Sequence, residues 1–182
     1  QGTVFRQDGT TPIPGASVTV RMTGGAQFTA TTQPDGTYRF ELLPFQGFTV
    51  TARETATRGV GIANGSFGAS GELLTRDVVL LPQGSVLVQV LGADGQPVNG
   101  ASVTAATSGY GLDDSRTGAT TVVDGIAGRV LLDRLLEGSL TVTASAGGFS
   151  GRVTGLQVVR DTITNVQVTL EPQAIIEGRV FE

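Results

Sequence analysis

Apolar residues along this chain recur at every second position, and turn-forming Gly, Pro, Asn and Asp interrupt the alternation about every eight to twelve residues. A period of two is strand spacing, because successive side chains of an extended chain point to opposite faces. Tyr38, Phe40 and Leu42 alternate with Arg39 and Glu41, which predicts a half-buried strand with its aromatics inward and an ion pair in water. Phe48, Val50 and Ala52 alternate in the same way with Thr49 and Thr51. The pattern predicts strands over 2–6, 16–22, 26–32, 37–43, 47–53, 57–63 and 73–81. It predicts a second set over 84–91, 101–107, 117–123, 128–134, 139–145, 150–159 and 163–170. Only 131–137 is ambiguous with a helix.

The two sets are copies of one unit. Asp8-Gly9 and Pro14-Gly15-Ala16-Ser17-Val18-Thr19 return as Asp94-Gly95 and Asn99-Gly100-Ala101-Ser102-Val103-Thr104. Gly36, Tyr38, Phe40, Leu43, Phe48, Val50 and Ala52 return as Gly128, Val130, Leu132, Leu135, Leu140, Val142 and Ala144. The second copy has gained about seven residues between those blocks, and the segment Ser108 to Arg116 is where an enlarged loop is expected. Gly178-Arg179-Val180-Phe181 resembles Gly2-Thr3-Val4-Phe5. The implied organisation is a first module over 1–82, a second over 83–172, and the opening strand of a third over 173–182. Seven short strands per module predict an all-β chain of two tandem seven-stranded Greek-key sandwiches made of antiparallel sheets. Pro82-Gln83 and Pro172-Gln173 leave no room for a flexible linker, so successive modules are expected to abut. The strand at 178–181 is expected to pair with a neighbouring sheet or chain.

Composition narrows the functional classes. The chain has no His, Cys or Lys, which removes the usual general bases, thiolate nucleophiles, Schiff-base lysines and phosphate-cradling P-loops. Its net charge is −4 with the 12 Arg scattered, so no basic stripe invites nucleic acid. No apolar run approaches the roughly 20 residues of a membrane-spanning helix. The pattern is already under way at residue 1, which suggests a piece of a longer exported protein.

These residues resemble the carboxypeptidase regulatory-like domain, whose pattern of Asp-Gly, Gly-Ala-x-Val and Gly-x-Tyr-x-Phe-x-x-Leu is carried by Asp8, Gly9, Gly15, Ala16, Val18, Gly36, Tyr38, Phe40 and Leu43. The second copy keeps the glycines and replaces the aromatics. The resemblance implies a prealbumin-like, carbohydrate-binding-like fold and leaves function open, since the matching positions are turn and core residues. Surface modules of the collagen-adhesin B type look similar and often carry Lys-to-Asn cross-links, which a chain without Lys cannot form. Transthyretin-like hydroxyisourate hydrolases share the sandwich, but their catalytic histidines have no counterpart here.

Carboxylates remain the only candidates for catalysis, and the adjacent Asp113 and Asp114 would point to opposite sides of an extended chain. No catalytic or cofactor-binding residues are assigned. The candidate ligand-contact loop is Tyr110, Asp113, Asp114 and Ser115: Tyr110 could stack on a sugar, and the three oxygen-bearing residues could contribute to a Ca²⁺ site, set against an ordinary solvated loop. Tyr38, Phe40 and Phe48 fall at core spacing, whereas Phe45 and Phe67 fall in apparent loops, as core lids ahead of exposed stacking platforms. Asn64-Gly65-Ser66 is a formal glycosylation acceptor that reads better as a hairpin turn. The expectation is a non-enzymatic structural or adhesive stalk of a secreted or cell-surface bacterial protein, spacing or presenting other domains. Its partners would be neighbouring modules, a glycan or another surface protein. The alternative is a carbohydrate-binding accessory module of a polysaccharide-active enzyme.

Overall fold

The computed structural model describes residues 1–172, so the expected strand at 178–181 lies outside the described residues. The chain folds as two compact units, the first Gln1–Pro82 and the second beginning at Gln83. No described residue is helical, and no helix long and apolar enough to cross a membrane occurs among them.

The first unit contains β1 (Gly2–Phe5), β2 (Ser17–Met22), β3 (Gln27–Thr31), β4 (Thr37–Tyr38), β5 (Gly47–Glu54), β6 (Gly59–Ser66) and β7 (Val78–Val79). They form two sheets, β4-β1-β7 and β3-β2-β5-β6. Inward residues of both sheets meet in one core, with Val4 and Val78 from the smaller sheet and Val18, Val20, Val50 and Ala52 from the larger. The second unit contains β8 (Gln83–Leu91), β9 (Ser102–Gly109), β10 (Leu112–Ala119), β11 (Thr121–Val123), β12 (Ile126–Leu136), β13 (Gly138–Ala146), β14 (Phe149–Val158), β15 (Ile163–Thr169) and β16 (Glu171–Pro172). Its sheets are β11-β12-β8-β15 and β10-β9-β13-β14-β16. The all-β sandwich expected from the alternation is present in each unit, and the ambiguous run 131–137 lies largely in β12.

Several expectations are corrected. Neither unit is wholly antiparallel: β1 runs parallel to β7, and β8 runs parallel to β15. The first and last strands of a unit are far apart in sequence, and a long crossover allows the parallel pairing that a hairpin cannot. The strand expected over 37–43 stops at Tyr38, because Leu42 takes a left-handed backbone (φ 57) and Pro44 has no N–H to donate. The expected strand 73–81 shrinks to Val78–Val79. The expected strand 117–123 is two strands, β10 and β11, which belong to different sheets. Asn64-Gly65 is not a turn but part of β6, where Asn64 faces Thr49 and accepts its hydroxyl at 2.8 Å.

The crossing between sheets is fixed by the same device in both units. Thr32, 5% exposed, donates its hydroxyl to Ile13 O at 2.6 Å and accepts from Ala16 N at 2.8 Å. Thr120, 1% exposed, donates to Val98 O at 2.6 Å and accepts from Ala101 N at 2.9 Å. Each threonine joins the end of one sheet's hairpin to the segment that leads in from the other sheet. Gly36 and Gly128 follow in equivalent places with φ near 79° and 73°. A Cβ on either would sit 2.6 Å from Pro12 Cβ or 2.9 Å from Pro97 Cβ, so these positions, one in a turn and one within β12, admit only glycine.

Candidate functional site

The four residues singled out as a ligand-contact loop lie on a hairpin. β9 and β10 pair in unbroken register from Ser102↔Ala119 to Gly109↔Leu112, and a two-residue turn, Tyr110-Gly111, closes them. Both turn residues have positive φ, 57° and 73°, as the tight hairpin turn matching strand twist requires. The extra residues of the second copy are also split. Ser17 faces Thr31 and Ser102 faces Ala119, so the β9–β10 hairpin is longer than its counterpart by three residues. The others form the β11–β12 hairpin turned at Asp124-Gly125. An enlarged loop was expected because strand extension and loop growth add the same number of residues to a sequence.

On this hairpin the side chains alternate. Asp113 and Ser115 face outward, and with Asp114 they line a shallow depression shared with Ser108, Ser139 and Thr141. Tyr110 stands at the tip, 55% exposed and outside the set that lines this depression. Asp114 turns inward with Arg116, and their side chains are 23% and 10% exposed. The two form an ion pair. Arg116 also donates to Ser115 O at 2.8 Å and Arg134 O at 2.6 Å, while Asp114 accepts from Leu136 N at 3.1 Å. This cluster ties the hairpin to β12 where that strand slips register between Leu132 and Leu135 and Arg134 takes a φ of 56°. Asp114 is therefore a structural residue whose oxygens are engaged within the fold, and its neighbour Asp113 points to the other face. Among the described residues, no three His, Cys, Asp or Glu side chains converge on a point that could hold a metal ion.

The acids elsewhere also serve the backbone. Asp8 accepts from Thr10 N, Thr11 N and the Thr11 hydroxyl, and these bonds, led by the hydroxyl, hold its carboxyl down at about 2. Asp35 accepts from the Thr37 hydroxyl and N–H and is lowered for the same reason. Asp94 accepts from Gln96 N at 3.0 Å. The aromatics of the first unit divide. Tyr38 is buried, stacks edge-on to Phe40 at 5.9 Å and donates its hydroxyl to Arg76 O. Burial, and secondarily Asp77, push its pKa up to about 12. Phe67 lies half-buried on Phe48 at 5.1 Å as a lid, whereas Phe45 is 62% exposed. Arg39 and Glu41 pair in water at 3.0 Å, as the alternation implied.

The residues repeated between the units are thus turn, latch and core residues. Residues 1–67 match the carboxypeptidase regulatory-like domain. The match covers the Asp-Gly turn, the Thr32 latch, Gly36 and the aromatic core of that domain. No curated protein sequence matches the chain. Among solved structures, the minor pilin of the Gram-positive pathogen Streptococcus agalactiae is 13% identical, with a TM-score of 0.55 over 98% of this chain and 99% of its own. A streptococcal ancillary pilin is 15% identical with a TM-score of 0.46, over 94% of this chain and 62% of its own. A shaft pilin of Lactobacillus rhamnosus GG is 12% identical with a TM-score of 0.35, over 97% and 98%. At such identities the first of these likenesses establishes the β-sandwich fold.

The latch threonines were missed by sequence reasoning. A signal was present: Thr31-Thr32 and Thr120-Thr121 stand shortly before Asp-Gly pairs in both copies. Threonine is so ordinary in strands that only the buried hydrogen bonds distinguish Thr32 and Thr120 from their exposed neighbours.

Proposed function

We propose that this chain is a non-enzymatic structural segment of a secreted or cell-surface bacterial protein, in which tandem sandwich modules space or present other domains. The observation that carries the reading is the distribution of repeated residues. What recurs between the units is scaffold: the Thr32 and Thr120 latches, the close-packed Gly36 and Gly128, and the alternating core. Three of the carboxylates, Asp8, Asp35 and Asp114, are occupied in holding backbone. The likeness of the fold to that of a minor pilin supports the same reading. The carbohydrate-binding alternative gains no support from the candidate loop, where Tyr110 stands at the hairpin tip, outside the depression that Asp113 and Ser115 line.

The test is surface labelling. Antibodies raised against the two-unit chain should label intact cells of the source organism, and protease added outside should remove the label. Labelling that appears only after permeabilisation overturns the proposal.

A further inference from the structure

From the pairing of first and last strands, we infer that each unit is a mechanical clamp, and that the two clamps are graded so that the first unit yields to tension before the second. The inference deepens the stalk reading and rests on it for its biological meaning. Tension along a tandem chain enters each unit at its first strand and leaves at its last. In the second unit β8 is the first strand and β15 the last long one, followed only by the two-residue β16 that pairs with β14; β8 and β15 are parallel neighbours facing each other over seven residue pairs, from Ile163↔Ser85 to Thr169↔Leu91. Ser85 N–H on Thr162 O at 2.9 Å and Leu170 N–H on Leu91 O at 2.8 Å extend the ladder at both ends.

In a parallel pair the two N-terminal ends lie together, so force on the start of β8 and the end of β15 pulls the strands along their length in opposite directions. Every ladder bond is then strained at once. An antiparallel hairpin pulled from its open end instead loses its bonds one at a time. Forced unfolding follows the unfolding rate, so simultaneous rupture raises the force at which a unit yields.

The first unit has the same clamp in shorter form. β1 and β7 face each other at only two pairs, Val4↔Val78 and Phe5↔Val79. Arg76 N–H on Gln1 O at 2.8 Å and Leu80 N–H on Phe5 O at 2.9 Å flank them, and Asp77 contributes a side-chain bond to Thr3 N at 2.8 Å. With so few bonds sharing the load, each carries more of it.

The direction of the N–H groups supplies a test within one strand. Because Leu170 donates to β8, the even-numbered residues of β15 point their N–H groups to the clamp, and the odd-numbered ones point to the open edge. Thr164→Pro removes a clamp donor, whereas Asn165→Pro removes one from the free edge, where proline is tolerated.

The experiment is single-molecule pulling of the whole chain through a cysteine appended at each end, which is clean because the chain has none of its own. Two unfolding steps are expected. The weaker has the shorter extension and belongs to the first unit; the stronger is longer by roughly 3 nm of extended chain. Thr164→Pro should lower only the stronger step, and Asn165→Pro should leave it in place. If Thr164→Pro abolishes folding of the second unit, the pulling direction decides. Handles at Gln83→Cys and Asp161→Cys, adjacent ends of the same strand pair, should peel β8 from β15 at a fraction of the end-to-end force. A single unfolding force for both units, the longer step first, equal effects of the two prolines, or no dependence on pulling direction overturns the inference. Any of these would leave the stalk reading standing, since surface labelling tests that separately.

Discussion

Replacing Thr120 by Val removes a hydroxyl and keeps the shape of the side chain, so its cost measures the latch alone. The hydroxyl is fully buried and makes two bonds, to Val98 O at 2.6 Å and from Ala101 N at 2.9 Å. Leaving a buried donor unpaired costs about 1–3 kcal/mol. Ala101 N has no second acceptor to turn to, because Thr120 O is already taken by Gly100 N at 2.7 Å. The added methyl recovers part of the loss through burial, so the net destabilisation of the second unit should be about 2 kcal/mol. At roughly 4–8 °C per kcal/mol for a unit of this size, the melting temperature should fall by about 10–15 °C. Thr32→Val should cost the first unit the same, since its bonds differ by no more than 0.1 Å from those of Thr120. Urea unfolding followed by hydrogen-exchange mass spectrometry assigns each transition to its own peptides. Thr104→Val is the control: its hydroxyl touches only that of Thr117 on the outer face, at 3.0 Å. If Thr120→Val costs no more than Thr104→Val, the latch does not fix the crossing and the reasoning fails.

Two further predictions follow from the same geometry. Asp114→Ala leaves Arg116 charged and largely enclosed, so it should destabilise the second unit by about 2–4 kcal/mol in urea, whereas Asp113→Ala on the outer face should change stability by less than about 0.5 kcal/mol. Tyr38 links the first unit to alkaline pH: its folded pKa is raised, so its contribution is complete below the unfolded value near 10 and is lost as pH rises from 10 towards 12. The first unit should therefore unfold at lower urea at pH 11 than at pH 8, and Tyr38→Phe should flatten that dependence; an unchanged slope would count against the assignment.

How much of this could be read from the chain depends on the physics of each feature. The alternation Phe48, Val50, Ala52 and its partner Leu140, Val142, Ala144 predicts burial because a strand buries one face, and all six are buried. The Asp-Gly turns at Asp8 and Asp94 are legible because they are local: acid and N–H partner lie two or three residues apart. What depends on distant partners is not legible. The parallel pairing of β8 and β15 joins residues nearly eighty positions apart, and nothing in either strand's composition marks it. Asn64-Gly65 has the composition of a turn and is held in β6 by the neighbouring β5. Asp114 and Ser115 read as loop residues because Asp and Ser favour turns, yet the β9 ladder holds them extended and commits Asp114 to the interior.

The divergence between the units is concentrated at one end of the sandwich, and the latches explain why that end can change. Phe40, Leu43 and Phe48 of the first unit stand where the second has Leu132, Leu135 and Leu140, and Met22 stands where the second has Thr107. In the first unit these aromatics, with Tyr38 and Phe67, line an open pocket of about 490 Å³ whose lining also includes Arg39, Glu41, Glu72 and Arg76. In the second, Leu135 and Leu136 are fully buried, and the longer hairpin brings in Asp114 and Arg116. Aromatic packing in one unit and a hydrogen-bonded ion pair in the other thus serve the same place. Neither choice disturbs the crossing points, because Thr32, Thr120, Gly36 and Gly128 set the strand registers from the other side of the core. Tolerance to substitution should therefore follow position in the sandwich and not burial alone. Thr120 and Leu140 are almost equally buried, at 1% and 2% exposed, yet only the latch is held by directional bonds to backbone on both sides.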